Sequence, residues 1–123
     1  MISIDSYGWI ERFTDGPKAK RYNAIIDEER NDEIVTGPVV LYEVYKRIKQ
    51  VKGEEIALEA VAALSATNVV ALDQTIALEA ADFSLEHSLH MSDALVYATA
   101  RHYDAELYTS DEDLRKLRSV TFI

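Results

Sequence analysis

Apolar positions recur along this chain with two periods, and the switches between them mark out its elements. Ile2 and Ile4 give a short strand signal that breaks at Asp5. Trp9, Ile10 and Phe13 then fall at near-helical spacing, predicting a short helix over 7–13 before the turn Asp15-Gly16-Pro17. Tyr22, Ile25 and Ile26 share one face of a helix over 18–30. A second strand over 33–36 ends at Gly37-Pro38, and Pro38 suits the first turn of a helix. That helix places Leu41, Val44, Ile48 and Val51 on one stripe, with Glu43 beside the stripe and Gly53 as its end. Another amphipathic helix follows over 54–64. Residues 68–72 carry a continuous apolar run, which predicts a third strand covered on both faces. Asp73 caps a helix reaching about Leu85, and Ser92 caps the next, which turns Leu95, Val96 and Ala98 inward. Ala105 to Thr109 reads as a fourth strand, Ser110 to Asp113 opens a short helix holding Leu114 and Leu117, and Ser119 to Ile123 closes the chain as a strand.

Strands alternating with helices predict an α/β fold: right-handed crossovers and a mainly parallel central sheet of about five strands, with helices on both faces. In such sheets a site lies beyond the carboxyl ends of the strands. Asp5 and Asp111 stand at two of those ends.

The 123 residues predict a single domain over 1–123, large enough for a core without staples. The pentapeptide IALEA at 56–60 and again at 76–80 reflects shared helix composition, since no third copy follows. With no cysteine, disulfides, zinc-thiolate sites and thiol nucleophiles are excluded. The N-terminus lacks the basic and long apolar regions of a signal peptide, and no segment approaches the ~18 apolar residues of a membrane span. These features predict a cytoplasmic protein.

A net charge of −9 argues, taken alone, against a nucleic-acid binder. A set of acids holding a cation would account for part of that excess. The cations are grouped: Lys46, Arg47, Lys49 and Lys52; Lys18, Lys20 and Arg21; Arg115, Lys116 and Arg118. Each group also reads as a solvated helix face.

Four acids stand out, each with a structural alternative. Asp5 ends a strand and also suits an N-cap. Glu43 can reach over the rim from its helix or pair with Arg47 at i+4. Asp93 and Asp111 either belong to the same rim or are first-turn and capping acids, with Glu112 and Asp113 as further first-turn acids. Carboxylates converging at one rim would repel one another and raise their own pKa values unless a cation held them. Oxygen-only ligands select Mg²⁺ or Mn²⁺. His87 and His90, at i and i+3, lack a third nitrogen or sulfur ligand nearby and read as joint or surface residues, and His102 with Arg101 ends a helix. The nucleophile-elbow and phosphate-binding glycine patterns are absent, and the acidic run SDED lacks the glycine of a calcium loop.

The stretches IDSYGWIERF, GPVVLYEVYKRI and LHMSDALVYATARHYDAELYTSDEDL resemble the PIN domain, and more narrowly VapC-type toxins of prokaryotic toxin–antitoxin pairs. The resemblance implies a three-layer α/β/α fold and a Mg²⁺- or Mn²⁺-dependent ribonuclease. It assigns the four acids Asp5, Glu43, Asp93 and Asp111 to catalysis and metal binding. Ser6 and Thr109 match its supporting polar residues, and Asp113 is a candidate outer helper. It also implies a homodimer and a small antitoxin whose tail enters the acidic groove. Tyr7-Gly8 departs from the small or aliphatic residues usual after the first Asp-Ser.

The leading reading is a metal-dependent endoribonuclease, with Lys46, Arg47 and Arg115 as candidate contacts to the RNA backbone. A PIN-like scaffold that binds RNA or protein without cleaving is the alternative from another class, and a Mg²⁺-dependent phosphatase is a third. Tyr42, Tyr45 and Trp9 are the aromatic residues expected near exposed helix faces for dimerisation.

Overall fold

The computed structural model describes residues 1–123. Five strands and six helices follow one another: β1 (Ile2–Ile4), α1 (Ser6–Thr14), α2 (Ala19–Glu28), β2 (Ile34–Thr36), α3 (Pro38–Lys52), α4 (Glu54–Ser65), β3 (Asn68–Val69), α5 (Gln74–His87), α6 (Met91–His102), β4 (Glu106–Thr109) and β5 (Val120–Phe122). Single 3₁₀ turns cover Asn31–Glu33 and Glu112–Leu114. All pairings are parallel, in the order β3-β2-β1-β4-β5, so the predicted three-layer α/β/α architecture is the observed one.

That order places the site. From β1 the chain builds outward through β2 to β3, then returns to lay β4 on the other side of β1. The crevice beyond the carboxyl ends of β1 and β4 is the topological switch point, where helices diverge to opposite sides and leave space for a ligand. Asp5 follows β1 and Ser110-Asp111 follow β4. The inner strands are apolar enough to be covered on both faces: Ile4, Ile34, Val35 and Leu107 are all at most 1% exposed. Against them pack Val44 and Ile48 of α3, Ala57, Ala60 and Leu64 of α4, and Ala94, Ala98 and Ala100 of α6.

Gly8 allows a close approach. A Cβ there would lie 2.5 Å from the ring of Tyr22, which is fully buried, and 2.7 Å from Ile4 Cγ2. The unusual glycine of α1 is therefore the space that seats Tyr22.

Several expectations need correction. The third strand is two residues long and lies at the sheet edge, with Val69 45% exposed, so its apolar run is not covered on both faces. Position 33 belongs to a 3₁₀ turn, not to β2. Asp73 caps α5 as predicted, accepting the Ile76 N–H at 2.9 Å, but α6 begins two residues earlier than expected. Its N-cap is His90, without a side-chain bond, and Ser92 is inside the helix. Trp9 is buried, with no hydrogen-bond partner for its Nε1, and offers nothing to a partner surface. Tyr42 is exposed and Tyr45 partly so.

Candidate active site

Acids from four chain segments meet at the switch point. Asp5 is buried, and its two oxygens do different things. Oδ1 accepts the Ser6 N–H at 2.7 Å and caps α1, while Oδ2 accepts the Thr109 hydroxyl at 2.7 Å from the neighbouring strand. Capping and membership of the rim, alternatives in the sequence, thus fall to one carboxylate. Thr109 Oγ1 also accepts the N–H of Asp111 at 3.0 Å, and Asp111 Oδ1 accepts that of Asp113 at 2.9 Å. One relay of hydrogen bonds runs from the end of β1 across β4 into the 3₁₀ turn. It sets the loop that carries Asp111 and Asp113.

Asp93 stands in the first turn of α6, where the helix dipole favours an anion. Glu43 lies in the second turn of α3, and its predicted partner Arg47 donates instead to Gln50 at 3.0 Å. Asp5, Glu43, Asp93 and Asp111 line one cleft of about 220 Å³, together with Ser6, Tyr7 and Ser110. Carboxylate oxygens of Asp93, Asp111 and Asp113 all lie within 4.8 Å of one another. Asp113, expected as an outer helper, is therefore in the closest group. Asp5, whose oxygens are already engaged by Ser6 and Thr109, and Glu43 line the cleft without belonging to that group.

The electrostatics match the crowding. Burial, then hydrogen bonding and charge from Asp111, then the charges of Asp5 and Asp113, push the Asp93 carboxyl up to about 7. Burial pushes Asp5 above the ordinary carboxylate range, partly offset by the hydrogen bonds from Thr109 and Ser6. Glu43 is raised by burial first and then by Asp5 and Asp111, with a hydrogen bond from Ser6 opposing. Ser6 therefore serves two carboxylates. Such mutual destabilisation is what a bound divalent cation would relieve.

Ser110 and Tyr7 line the cleft but were not among the expected site residues. The Ser110 hydroxyl lies 2.7 Å from the Tyr22 hydroxyl and donates to the Ile123 carbonyl at 3.2 Å, tying the cleft wall to α2 and the end of the chain. Its position between Thr109 and Asp111 was the available signal. The histidines lie elsewhere: His87 stacks near Phe83, His90 precedes α6, and His102 Nδ1 is 3.3 Å from Glu79.

Beside the acidic cleft runs a groove of about 260 Å³ that shares Ser6 and Glu43 with it and is otherwise lined by residues including Lys46, Arg47 and Gln50. Lys46 Nζ is 3.3 Å from the Tyr42 hydroxyl. Arg115 pairs with Glu112 at 3.3 Å and lies over the Phe122 ring at 4.6 Å. Of the first basic group, Lys46 and Arg47 therefore lie beside the acids, whereas Lys49 turns to Tyr45 and Glu54.

A family model described as PIN domain matches residues 2–120. No curated protein matches the chain. Among solved structures, a toxin–antitoxin complex from Klebsiella pneumoniae superposes with a TM-score of 0.83 at 23% identity, covering 98% of this chain and 96% of that one. VapC20 of Mycobacterium tuberculosis, described as a sarcin-ricin loop cleaving toxin, gives 0.79 at 15% identity, with 98% of each chain covered. VapBC2 from Rickettsia felis, bound to a DNA fragment from its promoter, gives 0.74 at 14% identity, covering 100% of this chain and 98% of that one. At these identities the likeness to the solved structures is one of fold.

Proposed function

The chain belongs to the PIN domain family, and from that membership we propose that it is a divalent-metal-dependent endoribonuclease, the toxin of a toxin–antitoxin pair. The observation that carries the proposal is the cleft itself. Four acids from β1, α3, α6 and the loop after β4 line one space at the switch point, with pKa values raised for Asp5, Glu43 and Asp93.

The donor set fits Mg²⁺ or Mn²⁺. It is all carboxylate, and three of its oxygens lie within 4.8 Å of one another. Asp93 and Asp111 would hold the ion, with Asp5, Glu43 and Asp113 completing the site directly or through water. When bound, such an ion makes a water more acidic and neutralises charge on a phosphodiester. The chain's own residues do the rest. Thr109 and Ser6 fix the Asp5 carboxylate, and Thr109 also fixes the loop bearing Asp111. Lys46 and Arg47, in the groove sharing Glu43 with the cleft, and Arg115 would hold the RNA backbone.

An antitoxin partner and a homodimer belong to the same reading. An apolar groove of about 460 Å³, lined by Pro38, Val39, Tyr42, Leu72, Met91 and Leu95, also reaches Glu43. A segment lying there could extend its tail into the acidic cleft. No helix is long and apolar enough to cross a membrane, and a cytoplasmic setting is part of the proposal.

The test is substrate choice. Purified protein is offered an RNA pool and, separately, a small phosphomonoester, with Mn²⁺, Mg²⁺ or EDTA. RNA cleavage that requires the metal is the expected result. Turnover of the monoester with RNA inert would point to a phosphatase. Silence on both, with tight binding of RNA or an antitoxin peptide, would point to a binding scaffold.

A further inference from the structure

Tyr7 follows Asp5 and Ser6 in the first turn of α1 and lines the acidic cleft with them, yet it stays 44% exposed. A tyrosine ring adds no ligand to a carboxylate site. The interior beneath α1 is taken by Tyr22, whose ring centroid lies 6.4 Å from that of Tyr7. Lys18 Nζ sits over the Tyr7 ring at 5.5 Å and over the Phe122 ring at 5.7 Å, and Arg115 Cζ sits over Phe122 at 4.6 Å. Residues 7, 18, 122 and 115, distant in sequence, thus form one strip in which aromatic rings and cations alternate, starting at the cleft.

In a chain of net charge −9 this strip is the wrong surface for a metal and a suitable one for single-stranded nucleic acid. An unpaired strand alternates flat base faces with anionic phosphates, and aromatic platforms beside cations recognise that alternation. A duplex hides its base faces and offers the rings nothing to stack on.

We propose that Tyr7 is the stacking platform for an unpaired base next to the scissile phosphate, and that Lys18, with Arg115 beyond it, holds the backbone phosphates that follow. This rests on the ribonuclease reading for the identity of the scissile phosphate, but the stacking itself is measured without cleavage.

The experiment uses the full chain with Ca²⁺ in place of Mn²⁺ and short single-stranded RNAs carrying the fluorescent base 2-aminopurine at successive positions. The wild type should quench one position strongly. Tyr7→Leu should lose that quench and bind about 5- to 150-fold more weakly, the range that stacking on one aromatic side chain supplies. Tyr7→Phe, which restores the ring, should recover both. Lys18→Gln should keep the quenched position and reduce the salt slope of binding by about one. Quench and affinity unchanged in Tyr7→Leu would overturn the proposal, as would equally tight binding of duplex RNA. The same oligonucleotides are then incubated with Mn²⁺. Cleavage without Tyr7-dependent quenching overturns the stacking role and leaves the ribonuclease reading standing. Tyr7-dependent quenching without cleavage supports the platform and overturns the ribonuclease reading. No binding at all overturns both.

Discussion

Replacing Asp93 with asparagine should stabilise the metal-free protein while abolishing its activity. The carboxyl of Asp93 rises from an ordinary 3.8 to about 7, first through burial and then through Asp111, Asp5 and Asp113. That rise corresponds to about 4 kcal/mol against the charged form. Asp93 keeps substantial solvent contact and screening discounts the figure, leaving about 1–2 kcal/mol. The sign follows from linkage. A carboxyl with a folded pKa above its unfolded value contributes stability at pH below about 4, and that contribution is lost as pH rises toward about 7. Asp93→Asn should therefore match the wild type near pH 4 and exceed it by an amount that grows to pH 7 and then levels off. For a domain of this size the gain corresponds to about 3–8 °C in melting temperature. Against it stands the loss of a first-turn anion from α6, worth about 0.3–1 kcal/mol. The assay is thermal unfolding by circular dichroism in EDTA at pH 4, 5.5, 7 and 8. Adding Mn²⁺ should reverse the order, because the wild type gains a bound ion that the variant holds poorly. A variant less stable than the wild type at pH 8 in EDTA would refute the reasoning, since the cleft would then not be a site of uncompensated repulsion.

Thr109→Val removes the donor to the buried Asp5 carboxyl and the acceptor of the Asp111 N–H. Urea unfolding at neutral pH should show a loss of about 2–4 kcal/mol, and activity should fall as the loop after β4 loosens. Gly8→Ala puts a methyl group 2.5 Å from the Tyr22 ring. Despite the better helix propensity of alanine, it should cost about 1–3 kcal/mol by thermal melting, whereas an unchanged melting temperature would mean that Tyr22 is not seated as described. Lys46→Gln and Arg47→Gln should each lower the slope of log affinity against log salt for RNA by about one. A binding constant indifferent to salt in the wild type would remove these residues from the backbone contact.

The sheet and two of its acids were legible because they rest on local pattern. An apolar strand broken by an acid locates Asp5 and Asp111 at carboxyl ends without any knowledge of pairing. The strand order was not legible. That β4 returns to lie beside β1 is a long-range fact, and it is what lets Thr109 reach Asp5 across 104 positions. The edge strand shows the limit of composition: Val69 and Val70 read as buried strand, but only the sheet order puts them at the rim. Ser92 was a better cap by type than His90, yet the chain enters α6 two residues earlier, so Asp93 sits in the first turn as an anion at the positive end of the helix. Trp9 read as a candidate surface aromatic because helical spacing alone does not say which stripe faces the core. Glu43 and Arg47 have the spacing of a helix pair, but Glu43 faces the cleft, and its nearest charges are negative. The approach of Asp113 to Asp93 was not legible, because it depends on the 3₁₀ turn closed by Asp111.

The most direct test is cleavage of a mixed RNA pool by wild type, Asp5→Asn and Asp93→Asn, purified in parallel and shown to be folded, with Mn²⁺ and with EDTA. The account predicts cutting by the wild type with Mn²⁺, none in EDTA, and a loss of at least about a hundredfold in each variant. Equal cutting by all three proteins would contradict it and place the chemistry outside the carboxylate cleft.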